Sequence, residues 1–387
     1  MKNTFLPIII TLLTIHLLVL YSISPYDYNF SSMFRISKVE KEGTVPEYFQ
    51  KGMVIFDDKG GYDGQFYYYV AMDTFLEKGY FKNAYRQQRI FYPLLARLFA
   101  FGKEGLFQYT FYLVNLIALA AGMYFFILIL KQYSLHPMWS LFYGLAPSSI
   151  MTIQYNLPSP VSIALIIIAI YFYINKNIIL TTVFMALSFL TREDSIVVLL
   201  PLLFWDYQCN KRFSRIFLLA SCLIPFFLWQ LFIAIKLGNM PVATSKEVIS
   251  FIPFSGIMGY IKTIEFENIK QFGKQISLFI VFLYLITIAV IVMKRLLSTR
   301  HLFYYVIVTY FLLLAVSVPS QVEGYNDKFE YSGVLRIFYG IFPFLVLSYC
   351  IEKDRLIKYS TYFIGILSFL TIVRILFVSP VYPFSIW

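Results

Sequence analysis

From Ile163 to Ile174, and again from Ile276 to Met293, the chain runs without a charged side chain. Such unbroken apolar runs are incompatible with the strands of a membrane β-barrel, where lipid-facing and lumen-facing residues alternate. In all, the apolar runs, near 5–22, 107–130, 137–154, 160–174, 178–190, 195–207, 216–235, 276–293, 302–318, 334–350 and 360–378, are separated by short clusters of Lys, Arg, Asn and Pro. A helix that crosses a bilayer needs about 20 apolar residues, so these runs predict about eleven membrane helices. With 59% hydrophobic and 14% charged residues in 387, the chain carries more apolar surface than a soluble core of its length can bury. The expected fold is therefore all-α: a polytopic integral membrane protein forming a single multi-spanning domain over 1–387. The first run, Phe5 to Ser22, follows Lys2 but is aromatic and lacks a small-residue cleavage site, so it reads as an uncleaved span and not a signal peptide.

The formal charge of +11 does not point to nucleic acid, because Lys and Arg are distributed among the connections between runs and form no single stripe. If Met1 is cytoplasmic, alternate short connections carry Lys131, then Lys176, then Lys211, Arg212 and Arg215, then Lys294, Arg295 and Arg300, then Lys353, Arg355 and Lys358. That is the asymmetry of the positive-inside rule. The connection 236–275 fits less well, since it holds Lys246, Lys262, Lys270 and Lys274 against Glu247, Glu265 and Glu267. The same topology puts the long 23–105 loop, the Thr191-Arg192-Glu193-Asp194 break and the 319–333 loop leading to Arg336 on the extracytoplasmic side. The segments from 160 to 207 are short for full spans, and interrupted helices are tolerated where protein or a water-filled cavity covers their ends. A recessed pocket open to the outer leaflet is the expectation.

Chemistry concentrates in the first long loop. Phe56-Asp57-Asp58-Lys59-Gly60-Gly61-Tyr62-Asp63-Gly64-Gln65-Phe66-Tyr67-Tyr68-Tyr69 combines a glycine turn with a dense aromatic run, and Arg86-Gln87-Gln88-Arg89-Ile90-Phe91-Tyr92-Pro93-Leu94 follows it. Gln65 to Leu76 predicts an amphipathic helix at the membrane interface, with Phe66, Tyr69, Val70 and Phe75 on its apolar side, and Leu94 to Phe101 predicts a second. Together they would form a lid. Asp63 stands at the first helix's N-terminus, where it could simply cap the helix. Asp57 and Asp58 read as solvated loop charge, or otherwise as an aid to metal or acceptor binding. Arg192 and Arg336 are guanidinium groups beside apolar spans, and such groups mark function or an internal ion pair. Arg86 and Arg89 could hold an anion or anchor the lid to headgroups. Cys209, Cys222 and Cys350 have no metal-ligand spacing, and His16, His136 and His301 have no nucleophile or second ligand near them in sequence. No metal site is expected.

The order of a first span, an outside loop with Tyr62-Asp63-Gly64-Gln65-Phe66-Tyr67, then Arg89-Ile90-Phe91-Tyr92-Pro93-Leu94, resembles the GT-C superfamily of membrane glycosyltransferases. It is most similar to the mannosyltransferase-like branch that includes the GPI-anchor mannosyltransferases. The resemblance is specific over about 56–101 and extends elsewhere only as span count and topology. It implies transfer of a sugar from a polyprenyl-phosphate-linked donor to a glycan or lipid acceptor on the extracytoplasmic face, in a bacterial plasma membrane and with inversion. It further implies Asp63 as the catalytic base, with Arg336, Arg192 and Arg89 on the donor phosphate and Gln65, Tyr67, Tyr92 and Asp58 against substrate. No cofactor is implied, and the absence of an Asp-x-Asp pair leaves a divalent metal without an obvious ligand set. A surface-glycan polymerase or ligase, which usually keeps its large loop late in the chain, and a transporter or flippase, which would show paired halves and charge along a route through the bilayer, are the rival readings. A catalytically silent scaffold is the third.

Overall fold

The computed structural model describes residues 4–39, 52–59, 61–241, 252–262, 269–316 and 335–377. Among these residues it is all-α apart from one small parallel strand pair. Helix α1 (Leu6–Ile23) precedes strands β1 (Ile36–Val39) and β2 (Ile55–Lys59). Three short helices follow, α2 (Asp63–Met72), α3 (Ala84–Gln87) and α4 (Phe91–Phe99), and then the long α5 (Phe107–Gln132). The remainder comprises α6 (Leu141–Gly144), α7 (Pro147–Gln154), α8 (Ser159–Ile174), α9 (Ile178–Thr191), α10 (Ile196–Asn210), α11 (Phe213–Ala220), α12 (Leu223–Leu237), α13 (Ser255–Lys262), α14 (Ile269–Ser298), α15 (Leu302–Val316), α16 (Ile341–Glu352) and α17 (Arg355–Phe377).

Among the described residues, five helical stretches are long and apolar enough to cross a bilayer: Leu6–Tyr26, Glu104–Gln132, Phe213–Leu237, Leu278–Ser298 and Arg355–Phe377. They mark the chain as a multi-pass membrane protein. Their outward faces are apolar, with Ile9, Leu13 and Leu17 exposed along α1 and Ile224, Leu228, Leu231 and Ile235 along α12. Residues spaced by three and four share one side of a helix, and an apolar stripe left uncovered on that spacing suits hydrocarbon and not water. Inside the bundle α8 packs between α5 and α9, α15 packs against α10, α14 and α16, and α1 packs against α5, α6 and α17.

The run expected as one span over 137–154 is broken into a 3-10 turn at Pro137–Ser140, then α6, then α7. Pro147 has no N–H to continue the helix and holds Ala146 in an extended conformation, φ −53° and ψ 147°. A Cβ at Gly144 would lie 2.7 Å from Thr11 Oγ1 and 2.6 Å from Met123 Sδ, so the break is wedged between α1 and α5. Helix α7 is buried along its whole length, and Ser148 Oγ donates to the Leu335 carbonyl at 2.6 Å.

The first loop departs from expectation in a second way. Helix α2 is not an amphipathic interfacial helix, because every residue from Gly64 to Met72 is buried. Its aromatic side chains find partners on all sides: Tyr68 meets Phe34 at 5.1 Å and Phe107 at 6.1 Å, while Phe66 and Tyr69 each meet Phe81 at 5.6 Å. Phe75, expected on the apolar side, is exposed. Helix α4 does keep the two-faced character, with Tyr92, Pro93 and Ala96 inward and Leu98 and Phe99 outward. The loop 319–333 lies outside the described residues.

Candidate functional site

Two glycines shape the turn that presents Asp63. Gly61 has φ +54°, and a Cβ there would come within 2.6 Å of the Arg35 carbonyl oxygen, so both conformation and space call for glycine. The same carbonyl accepts the Tyr62 N–H at 3.1 Å. At Gly64 a Cβ would stand 2.4 Å from the Tyr155 carbonyl oxygen, which brings α2 hard against the end of α7. Between these close approaches Tyr62 is extended, φ −139° and ψ 165°, and serves as the N-cap of α2 without a side-chain capping bond. Asp63 is the first helical residue and its carboxylate points elsewhere.

That carboxylate sits between two guanidinium groups from distant parts of the chain. Asp63 Oδ1 is 3.1 Å from Arg86 Nη1, and Oδ2 is 3.3 Å from Arg336 Nη2. The Asp63 side chain keeps 22% of its surface exposed, so the pair of bridges is open on one side. Arg86 lies over the Phe66 ring at 4.3 Å, and Arg336 Nη1 donates to the Tyr62 hydroxyl at 2.7 Å. Burial would raise the Asp63 carboxyl, but the charges of Arg86, Arg336, Arg89 and Arg192 outweigh it and hold the group at about 2. At neutral pH Asp63 is a carboxylate.

A second ion-pair layer supports the first. Arg89 is buried, and its Nε donates to Glu193 Oε2 at 2.8 Å and its Nη2 to Glu193 Oε1 at 2.5 Å. The other guanidinium edges reach the Tyr67 hydroxyl at 2.9 Å and the Tyr85 hydroxyl at 3.0 Å. Burial would raise the Glu193 carboxyl too, and Arg89 with Arg192 holds it at about 2. Arg192 Nε donates to both oxygens of Asp194, at 3.0 and 3.1 Å, and Nη1 donates to Ser159 Oγ at 2.9 Å. Among the described residues, four guanidinium groups and three carboxylates share this site, between low-dielectric walls. Arginine forks match the oxygens of an anionic group in pairs.

The structure thus joins Asp63 to Arg336 across 273 positions and sets Arg192 close enough to bias the Asp63 charge. Arg89 differs from the sequence expectation: its fork is filled by Glu193 and two tyrosines, which makes it a strut between the first loop and the α9–α10 break. Gln65, Tyr67 and Tyr92, expected against substrate, are buried and engaged within the fold. Gln65 Oε1 accepts the Ser37 N–H at 3.0 Å, while the Tyr92 hydroxyl donates to the Phe111 carbonyl at 3.2 Å and accepts from Asn115 Nδ2 at 2.7 Å. They shape the site from behind. Asp58 belongs to β2, and its side chain lies outside the described residues. Arg86 is the direct partner that sequence reasoning left in a minor role; its spacing of three from Arg89, just after Asn83, which caps α3 by accepting the Arg86 N–H at 2.9 Å, is the available signal.

An apolar cavity of about 260 Å³ runs between α4, α5, α8 and α9, with Phe91, Leu95, Val114, Ala118, Leu165 and Leu187 among its walls. Phe91, in its wall, stands two positions from Arg89 in the chain. Neither a family model, nor a curated protein, nor a solved structure matches this chain.

Proposed function

We propose that this chain is a membrane glycosyltransferase of the GT-C type that moves a sugar from a polyprenyl-phosphate-linked donor to an extracytoplasmic glycan or lipid acceptor. The observation that carries the reading is the Asp63 carboxylate held between Arg86 and Arg336, in a bundle that also encloses an apolar cavity. A lipid-linked sugar phosphate needs those three things together: cations for the phosphate, a carboxylate for the incoming hydroxyl, and hydrocarbon walls for the tail. In this reading about eleven helices span the bilayer, the N-terminus is cytoplasmic, and Asp63 faces the outside of a bacterial plasma membrane.

Arg336 and Arg86 would receive the donor phosphate, since an arginine fork matches phosphate oxygens in pairs. Their shift toward phosphate loosens the grip on Asp63, whose basicity rises as the cations turn to the new anion. Asp63 then takes the proton of the acceptor hydroxyl. The hydroxyl oxygen forms the new bond to the anomeric carbon, the old carbon–oxygen bond breaks, and its electron pair leaves on polyprenyl phosphate, neutralised by the two guanidinium groups. One carboxylate working as a base implies direct displacement with inversion. Arg192 adds to the positive field, and Arg89 fixes the position of the loop.

The test combines purified protein with labelled polyprenyl-phosphate sugars and compares the native chain with Asp63→Asn. General-base catalysis contributes about 10²- to 10⁴-fold, and transfer should fall by that factor while thermal unfolding stays cooperative. Equal transfer by both proteins removes Asp63 from its role.

A further inference from the structure

At the end of the bundle opposite Asp63 a second pocket, of about 360 Å³, opens between the ends of α5, α8, α10, α11 and α15. Its location follows from helix direction: α5 meets α2 near Phe107, whereas Gln132 at its other end donates from Nε2 to Asn175 Oδ1 at 3.2 Å. Tyr133, Tyr173, Lys176, Trp205, Arg215 and His301 form much of the wall. None of them takes part in the Asp63 cluster.

The donors of this pocket are fixed by a buried acid. Asp206 is fully buried, and its oxygens accept from the Tyr173 hydroxyl at 3.2 Å, Asn210 Nδ2 at 2.9 Å, Arg215 Nε at 3.2 Å and Arg215 Nη2 at 2.9 Å. That clamp orients the Arg215 guanidinium and leaves Nη1 outside it. Lys176, at φ +62° just past the end of α8, has no side-chain hydrogen bond or ion pair among the described residues. His301 Nδ1 accepts the Phe303 N–H at 3.4 Å, which places the proton of a neutral imidazole on Nε2. Burial holds His301 down at about 4, so it is neutral and acts as a donor at physiological pH. Its ring stands 5.5 Å from Trp205. With Asp206 offsetting Arg215, the pocket keeps the Lys176 charge in excess among the described residues, and Tyr133, Tyr173, Trp205 and Phe303 contribute aromatic walls.

We propose that this pocket binds the phosphate group of an anionic lipid in the leaflet opposite Asp63, with Lys176, Arg215 Nη1 and His301 Nε2–H as donors. Basic pockets between membrane helices suit anionic headgroups, and aromatic rings sit naturally at headgroup depth. A volume of about 360 Å³ falls in the range of small-molecule sites and admits a phosphate with its glycerol linkage. The ligand chemistry is a phosphate oxyanion, available from a lipid headgroup or from phosphate in solution.

The experiment titrates the full chain, in detergent, with phosphatidylglycerol, phosphatidylcholine or inorganic phosphate, and follows bound lipid by native mass spectrometry and thermal midpoint by fluorescence. Phosphatidylglycerol should bind in preference to phosphatidylcholine. Removing one lysine charge near a headgroup should weaken it about five-fold in Lys176→Ala. Lys294→Ala, an exposed basic residue at the same end but outside the pocket, should leave binding unchanged. Inorganic phosphate that raises the midpoint as phosphatidylglycerol does, with the same Lys176 dependence, keeps the oxyanion site and assigns its source to solution. Equal binding of the two lipids, or equal weakening by Lys176→Ala and Lys294→Ala, overturns the proposal. None of these readouts depends on sugar transfer.

Discussion

A carboxylate gripped by two arginines is easy to ionise and hard to protonate, and that trait of Asp63 has a measurable cost at low pH. Its folded value of about 2 lies below the ordinary 3.8, so the unfolded chain takes up the proton first as acid is added. The stability that Asp63 contributes is complete above about pH 4 and is lost as pH falls toward 2. Glu193, at about 2 from an ordinary 4.5, acts in the same direction over a similar window. The thermal midpoint of the solubilised protein should therefore hold steady from neutral pH down to about 5 and decline below 4. Asp63→Asn should flatten part of that decline and Glu193→Gln another part. An unchanged slope in both variants shows that neither ion pair persists in solution. At this scale the sequence was readable where chemistry is sparse: Arg192 and Arg336 stand out because charge beside apolar spans is rare. Gln65, Tyr67 and Tyr92 were not separable from substrate contacts, because a tyrosine that packs and a tyrosine that binds look alike until their neighbours are known.

Among the elements, the junction of the first loop with the α9–α10 break depends on one buried pair. Arg89 and Glu193 come from segments 104 positions apart and share two hydrogen bonds. Removing one partner strands a charge, which costs about 3 to 5 kcal/mol, whereas an apolar replacement of both is often close to neutral. Glu193→Ala should lower unfolding stability by that amount, and Arg89→Met combined with Glu193→Leu should recover most of it; failure of the pair to recover would mean that Tyr67 and Tyr85 depend on the guanidinium itself. Several elements, among them α1, α5, α8, α9, α10, α15 and α17, fall on the apolar runs, whereas α13 lies in the 236–275 connection, where no run marks it. The break at Pro147 and the burial of α2 do not follow from the runs. Both arise from what surrounds a segment, since Phe34, Phe81 and Phe107 cover faces of α2 that its own pattern leaves undefined.

For the molecule as a whole, the two ends of the bundle differ in kind. The Asp63 end gathers arginines in a recess, while the other carries Lys131 bonded to Thr4, Arg215 paired with Asp206, and Arg295 paired with Asp354. Of the three cysteines, Cys209 alone is exposed, and it lies at the end opposite Asp63. A membrane-impermeant thiol reagent should label Cys209 in inverted membrane vesicles and spare it in intact cells, whereas a cysteine placed at the exposed Asp57 in a Cys209→Ser background should show the reverse. Labelling of both from one side would contradict the proposed orientation. The contact of α1 with α17 also bears on manufacture. The Tyr21 hydroxyl donates to the Leu376 carbonyl at 2.8 Å, between positions 355 apart in the chain. A ribosome threading helices into the bilayer in order delivers α1 long before the neighbour that seals its flank. Until α17 emerges, that seam stands open to lipid or to an insertion factor, and a nascent chain halted short of α17 offers the cell's quality-control proteases an unfinished wall.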